Sequence, residues 1–279
     1  MASTKEIDTE LLPYLRVYKD GTLERIVGSS IVPSSPEDPE NGVSSKDITI
    51  SDNPSISARL YLPKLNQSSN NQQNQKLPIL IYFHGGGFFI ESAFSFPCHR
   101  FLNLIVSQAN VLAVSMEYRL APEHPLPRAY EDCWTALQWV TSHAFRAGVE
   151  SLFGGVNIVG AFLSYPYFCG SNLIGSESVA EYEQRIPNRV WNLVYPDALG
   201  GIDCTMINPP VPGAPCLAGL GCSKMLACVA GKDELRDGGV WYYEAIEKSE
   251  WEGEVELFEV EDEIIAFISS ILKLRILRI

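Results

Sequence analysis

An α/β fold with a mostly parallel central sheet flanked by helices is the class this sequence predicts. Three observations carry the prediction. Leu77–Phe83 and Val111–Glu117 are near-continuous apolar runs rich in β-branched and aromatic residues, the pattern of strands buried on both faces. Each is followed by a stretch with apolar residues at helical spacing, so that strand, helix, strand and helix alternate. A chain of 279 residues with 46% hydrophobic content suits one such domain, spanning 1–279, with a real core.

The elements follow in order. Residues 1–20 carry Leu11, Leu12, Leu15 and Val17 at loose helical spacing and read as an arm packed on the domain. Thr22–Val27, Asp47–Ser51 and Ile56–Leu62 read as short strands, with turns at Gly21, Pro33–Pro39 and Asn53-Pro54. Lys64–Lys76 is rich in Asn, Gln and Ser without an apolar anchor, a solvated loop. After the Leu77–Phe83 strand, Phe96–Asn110 shows a helical stripe through Phe101, Leu102, Leu104, Ile105 and Ala109. Three prolines break Arg119–Pro127, and Ala129–His143 is a helix burying Tyr130, Cys133, Trp134, Leu137 and Val140. Val156–Leu163 is the next strand. Val179–Tyr195 reads as a helix interrupted by Pro187, and Cys204–Leu220 as a proline-rich loop. Met225–Ala230 and Val255–Val260 are strands on either side of a Gly238–Ser249 helix. Glu263–Ile279 is strongly apolar and reads as a helix against the sheet; the alternative, a helix on a membrane surface, is opposed by the overall charge.

That charge, −13, argues against nucleic-acid and anionic-membrane partners, since phosphate repels such a surface. Seven cysteines at irregular spacing form neither a metal pattern nor a paired framework and suit a reducing compartment. The first residues lack an apolar secretory core, and no run approaches the roughly 20 residues that span a bilayer. A soluble protein of the cytoplasm, or also of the nucleus, is expected, with no metal and no cofactor.

The chemistry centres on His84-Gly85-Gly86-Gly87, where an apolar strand ends in three glycines. Glycine triplets by themselves favour a flexible turn. A histidine before them and a strand feeding them favour a second reading. Unshielded peptide N–H groups aimed at one point make an oxyanion hole, which stabilises the negative oxygen formed in acyl transfer.

His84-Gly85-Gly86-Gly87-Phe88 is followed by Glu117-Tyr118-Arg119-Leu120-Ala121-Pro122-Glu123-His124-Pro125-Leu126-Pro127, and later by Ala230-Gly231-Lys232-Asp233-Glu234-Leu235-Arg236-Asp237. Together with Leu15–Gly21, Gly42–Asp47 and Ser57–Pro63, these segments resemble the plant carboxylesterase family. That family belongs to the hormone-sensitive-lipase-like branch of the α/β-hydrolases and includes 2-hydroxyisoflavanone dehydratases and the gibberellin receptor. The resemblance runs from about Leu15 to about Glu261. It implies an α/β-hydrolase fold and hydrolysis of small carboxylic esters. It assigns the oxyanion hole to His84, Gly85, Gly86 and Gly87, with Gly86 and Gly87 as donors, and the orienting catalytic acid to Asp233. Glu117, Arg119 and His124 match a loop with a packing role. Residues 1–20 match a cap over the site, and 178–196 a lid-type helix.

The rest of the machinery is missing from the sequence. A serine esterase needs a nucleophile, a base and an acid that orients the base. The serine sits in G-x-S-x-G, because only small neighbours permit the sharp strand-to-helix turn. That pattern does not occur here; Gly170-Ser171 and Gly221-Cys222-Ser223 are the nearest approaches, and Ser164 and Ser171 read as ordinary polar residues. The four histidines are His84, His99, His124 and His143, and Ile265 stands where the resemblance places the base. So the nucleophile is none and the base is none. Without a histidine to orient, Asp233 reads equally well as a turn or helix-capping aspartate.

The resemblance also implies that a segment of a few dozen residues is gone between Ser142-His143-Ala144-Phe145 and Arg146-Ala147-Gly148-Val149-Glu150, and with it the central nucleophile-bearing strand. Three expectations follow: an inactive carboxylesterase-like hydrolase, a non-catalytic binder of a small ester or carboxylic acid in the manner of the gibberellin receptor, or a shortened gene product.

Overall fold

A computed structural model of the chain describes residues 5–64, 77–146, 158–172, 174–175 and 185–261. The expected loop at Lys64–Lys76 (beyond Lys64 itself) and the expected helix at Glu263–Ile279 lie outside the described residues. The chain divides into two compact units, one formed by 1–139 with 267–279 and the other by 140–266.

The first unit opens with three antiparallel strands, β1 (Ile7–Leu11), β2 (Leu15–Tyr18) and β3 (Leu23–Arg25). The helical spacing read into residues 1–20 is therefore corrected. Pro13 lies in the turn between β1 and β2, where a helix would lose a hydrogen bond, and Leu11 and Leu15 face each other as ladder partners. Both are buried.

Next come β4 (Ser44–Asp52), β5 (Ser55–Leu62), β6 (Ile79–Phe83), the helix α1 (Phe96–Ala109), β7 (Leu112–Glu117) and the helix α2 (Arg128–Arg146). The strands form a sheet in the order β4-β5-β7-β6, with β6 parallel to β7 and the other pairs antiparallel. β5 and β7 are the interior strands, and in β7 Ala113, Val114, Ser115 and Met116 are all buried. α1 starts with Pro97 in its first turn and ends on Asn110 in the left-handed conformation. Its buried residues Cys98, Phe101, Leu102 and Val106 recur at helical spacing, and it packs on β5 and β7.

The second unit holds β8 (Gly160–Ser164), α3 (Ile186–Val194), β9 (Lys224–Ala230), α4 (Arg236–Glu247) and β10 (Glu254–Val260). Its sheet runs β10-β9-β8, all parallel. α4 covers it, burying Tyr242 and Ile246 against Met225, with Leu163, Phe168 and Val255 around them. Gly238 permits that approach, since a Cβ there would strike the Phe168 carbonyl. Pro187 does not interrupt a helix as the sequence suggested. It lies in the first turn of α3, where its missing N–H costs nothing.

The open edges of the two sheets differ in character. β4 and β10 carry Lys46, Asp47 and Asp52, and Glu254, Glu256 and Glu259, the charges that keep an edge soluble. β6 and β8 carry none, yet among the described residues each pairs with one neighbour only. Ile79, Phe83 and Phe162 are exposed in consequence.

Candidate active site

The glycine loop leaves β6 at Phe83. Gly86 has φ +114° and Gly87 +58°, and a Cβ on Gly86 would collide with the Ile90 carbonyl. The Gly86 carbonyl accepts from the amides of Phe89 and Ile90, both at 3.1 Å, which curls the backbone back on itself. The amide N–H groups of Gly86 and Gly87 donate to nothing among the described residues. The curled backbone thus presents two adjacent unpartnered donors.

The loop is fastened from several sides. His84 is 4% exposed and stacks on Tyr118 with ring centroids 4.1 Å apart, while the Tyr118 hydroxyl donates to the His84 carbonyl at 2.7 Å. His84 Nδ1 lies 2.8 Å from the Gly85 carbonyl, so that nitrogen carries the proton. Burial pushes His84 down to about 4, and the imidazole is neutral near pH 7. Its Nε2 has no hydrogen-bond partner and lies 3.9 Å from Glu117 Oε2. That oxygen accepts from the Ser92 hydroxyl at 2.9 Å and the Ala93 amide at 2.6 Å; burial raises Glu117, and these donors oppose the rise. Arg119 clasps Asp132 through its backbone amide and guanidinium, and the His124 amide bonds the Leu120 carbonyl. Glu117 and Arg119 thus serve the packing role expected of them, whereas His124 is exposed and contributes only its backbone amide.

Sequence reading missed Arg25. From β3 its guanidinium donates to the carbonyls of Phe89 at 2.7 Å and Ala121 at 3.0 Å, and grips both oxygens of Glu123. Tyr14 adds an edge-on contact with Phe89, and the Ser29 hydroxyl bonds Glu91. No local pattern announces these contacts, because every partner lies more than 60 residues away.

Asp233 follows β9 by three residues and is buried. Its Oδ1 accepts from the Leu235 amide at 2.9 Å, so the capping reading holds for one oxygen. Oδ2 is buried and has no partner. Burial raises the carboxyl above its ordinary value. It borders a cavity of about 510 Å³.

No other histidine takes the place of the missing base. His99 is held by Arg59, Tyr61 and Asn103. His143 lies 3.1 Å from the Ser142 hydroxyl, but both are exposed and sit on regular helix rather than on a strained elbow. Ser171 is exposed, with its amide on Asp203, and Ser164 is exposed at the end of β8. Among the described residues no cluster of His, Cys, Asp and Glu could hold a metal, and no helix is long and apolar enough to cross a membrane.

Fold and loop together define an α/β hydrolase. The family model described as alpha/beta hydrolase fold matches residues 80–161, the stretch that carries the glycine loop. Solved structures agree on the fold. The esterase of Pyrobaculum calidifontis has a TM-score of 0.60 at 24% identity, covering 79% of this chain and 76% of its own. Carboxyl esterase 2 of the fungus Tuber melanosporum gives 0.61 at 19%, covering 84% and 82%.

Curated relatives are far more similar. The 2-hydroxyisoflavanone dehydratase of Glycyrrhiza echinata is 55% identical across 94% of this chain and 90% of its own length. The probable carboxylesterase 2 of Arabidopsis thaliana is 42% identical across 94% and 90%. The chain belongs to the plant carboxylesterase-like α/β-hydrolase family. The match to the Glycyrrhiza protein extends over 299 positions, more than the whole 279-residue chain can fill, so a few dozen of them have no counterpart here.

Proposed function

We propose that this chain is a carboxylesterase-family protein that has kept the oxyanion-binding loop and the orienting acid, and does not hydrolyse esters through a serine, a histidine and an acid. One observation carries the reading. The donors of Gly86 and Gly87 stand ready, while the sequence contains no G-x-S-x-G and no histidine beyond His143. Attack on an ester carbonyl needs an oxygen nucleophile and a group to take its proton. Ile265 can do neither.

The loss is of a segment, in our reading, not of single residues. The unfilled positions in the match to the dehydratase support this, as do the uncharged edges of β6 and β8, which have the composition of interior strands. The ligand we assign is a small carboxylic ester, a carboxylic acid or a hydroxyisoflavanone, whose carbonyl or carboxylate oxygen docks on the Gly86 and Gly87 amides.

Turnover of p-nitrophenyl acetate and of 2-hydroxyisoflavanone tests the reading. Loss of a triad serine or histidine lowers turnover by about 10⁶-fold in a comparable enzyme, so no signal above background is expected. Ester turnover abolished by an active-serine reagent overturns it. A thermal-shift screen with small carboxylic acids separates the two forms of the proposal: stabilisation supports a binder, and the lack of a folded baseline supports a shortened product.

A further inference from the structure

We propose that the cavity beside Asp203 binds a small organic ammonium ion, a protonated amine carried on an apolar body. All the residues concerned lie in the second unit, and the proposal is independent of the catalytic reading. The cavity holds about 520 Å³ between the loop at 170–175, the loop at 203–212 and one face of α4. Ile174, Val211, Val240 and Trp241 give it apolar walls that are only partly buried and so open to a ligand. The polar side is built in advance. Asn208 is buried, its amide and that of Ile207 bond the Cys204 carbonyl, and the Cys169 amide bonds the Ile207 carbonyl. Two glycines make room for the acids there. A Cβ on Gly170 would strike Asn208 Nδ2 and crowd Asp203 Oδ1, and one on Gly175, at φ +60°, would strike the Asp237 carboxylate.

The lining sets the ligand's charge. Among the described residues it carries three carboxylates, Asp203, Asp237 and Glu244, against one cation, Arg236. That cation is already engaged: both Glu259 oxygens accept from it, at 2.7 and 2.8 Å, and Asp237 accepts at 2.8 Å. Glu244 is exposed and meets Lys248 at 2.9 Å. Asp203 stands apart. Its Oδ1 accepts from two neutral donors, the Ser171 amide at 2.7 Å and the Asn208 side chain at 2.9 Å, and among the described residues no cation pairs with it. Burial opposes its ionisation, but the Ser171 and Asn208 donors outweigh burial and hold the carboxyl below its ordinary value. It is therefore charged near pH 7, and it is partly exposed, within reach of a ligand in the cavity. An ammonium group supplies the positive charge that this side lacks, while its apolar body rests on Trp241 and Val240. A carboxylate ligand meets three like charges.

Calorimetric titration of the full chain with benzylamine at pH 7, where the amine is protonated, tests the assignment. The expected result is saturable one-to-one binding, about tenfold tighter than that of benzyl alcohol, a neutral molecule of the same size, on the scale of one partly screened ion pair. Asp203→Asn should remove that preference. Glu244→Lys should reduce it as well, since it sets a cation at the rim of the cavity without touching the 203–212 loop, and it serves if the first variant does not fold. Trp241→Ala should weaken both ligands alike. Equal affinity for benzylamine and benzyl alcohol, a preference that survives both charge substitutions, binding indifferent to Trp241→Ala, or no saturable binding overturns the proposal.

Discussion

The glycine loop in the first unit and Asp233 in the second are held in different ways. Around the loop, Tyr118, Glu117 and Arg25 hold His84, Ser92, Ala93, Phe89 and Ala121 in direct hydrogen bonds, although Nε2 of His84 is left without a partner. Around Asp233 one carboxyl oxygen is bonded and the other is buried and idle. A backbone loop held by the side chains packed behind it needs no ligand to stay in place. In a complete triad the acid is satisfied by its histidine, and this sequence has no histidine beyond His143.

The comparison is sharpened first by whole-chain stability, the largest effect expected. A central strand buries about six side chains at about 1.5–3 kcal/mol each, on the order of 10 kcal/mol. Domain stability is typically about 5–15 kcal/mol. The chain should therefore melt at least about 10 °C below the 2-hydroxyisoflavanone dehydratase of Glycyrrhiza echinata in the same buffer. Equal midpoints would break the link between the open edges of β6 and β8 and a lost strand.

The second test is pH. His84 is held near 4 in the fold against about 6.5 when unfolded, so the unfolded chain binds the extra proton. Its contribution is intact above pH 6.5 and is lost as the pH falls towards 4, up to about 3 kcal/mol. Urea unfolding across that window should show the slope, and His84→Gln should flatten it. A slope unchanged in the variant would place the titration elsewhere.

Third, Gly86→Ala should cost about 1–3 kcal/mol, because φ +114° and the Ile90 carbonyl both oppose a side chain. The smallest effect has the opposite sign. Asp233→Asn should raise stability by about 1 kcal/mol at pH 8, by removing a buried charge with an unpaired oxygen. The raised Asp233 takes up a proton more readily folded than unfolded, so this gain shrinks as the pH falls through its folded value. Destabilisation at Asp233 equal to that at Gly86 would erase the contrast between the two regions.

Much of this was legible in the residues. The runs ending at Phe83 and Glu117 became β6 and β7, and the glycines after Phe83 took the left-handed backbone that their lack of Cβ permits. The N-terminal arm was misread because Leu11, Leu12 and Leu15 mimic a helical spacing across what is a turn at Pro13. Arg25 was invisible, since a surface arginine on a short strand looks the same whether it meets solvent or two distant carbonyls. The idle oxygen of Asp233 was equally hidden. Its neighbours in sequence satisfy one oxygen, and only the fold shows that nothing satisfies the other.

Intact-mass analysis after exposure to a fluorophosphonate reagent tests the central claim most directly. An unmodified mass is predicted, since the sequence has no G-x-S-x-G and the contact between Ser142 and His143 lies on exposed regular helix. A single stoichiometric adduct, mapped to one serine and prevented by prior unfolding, would contradict the account.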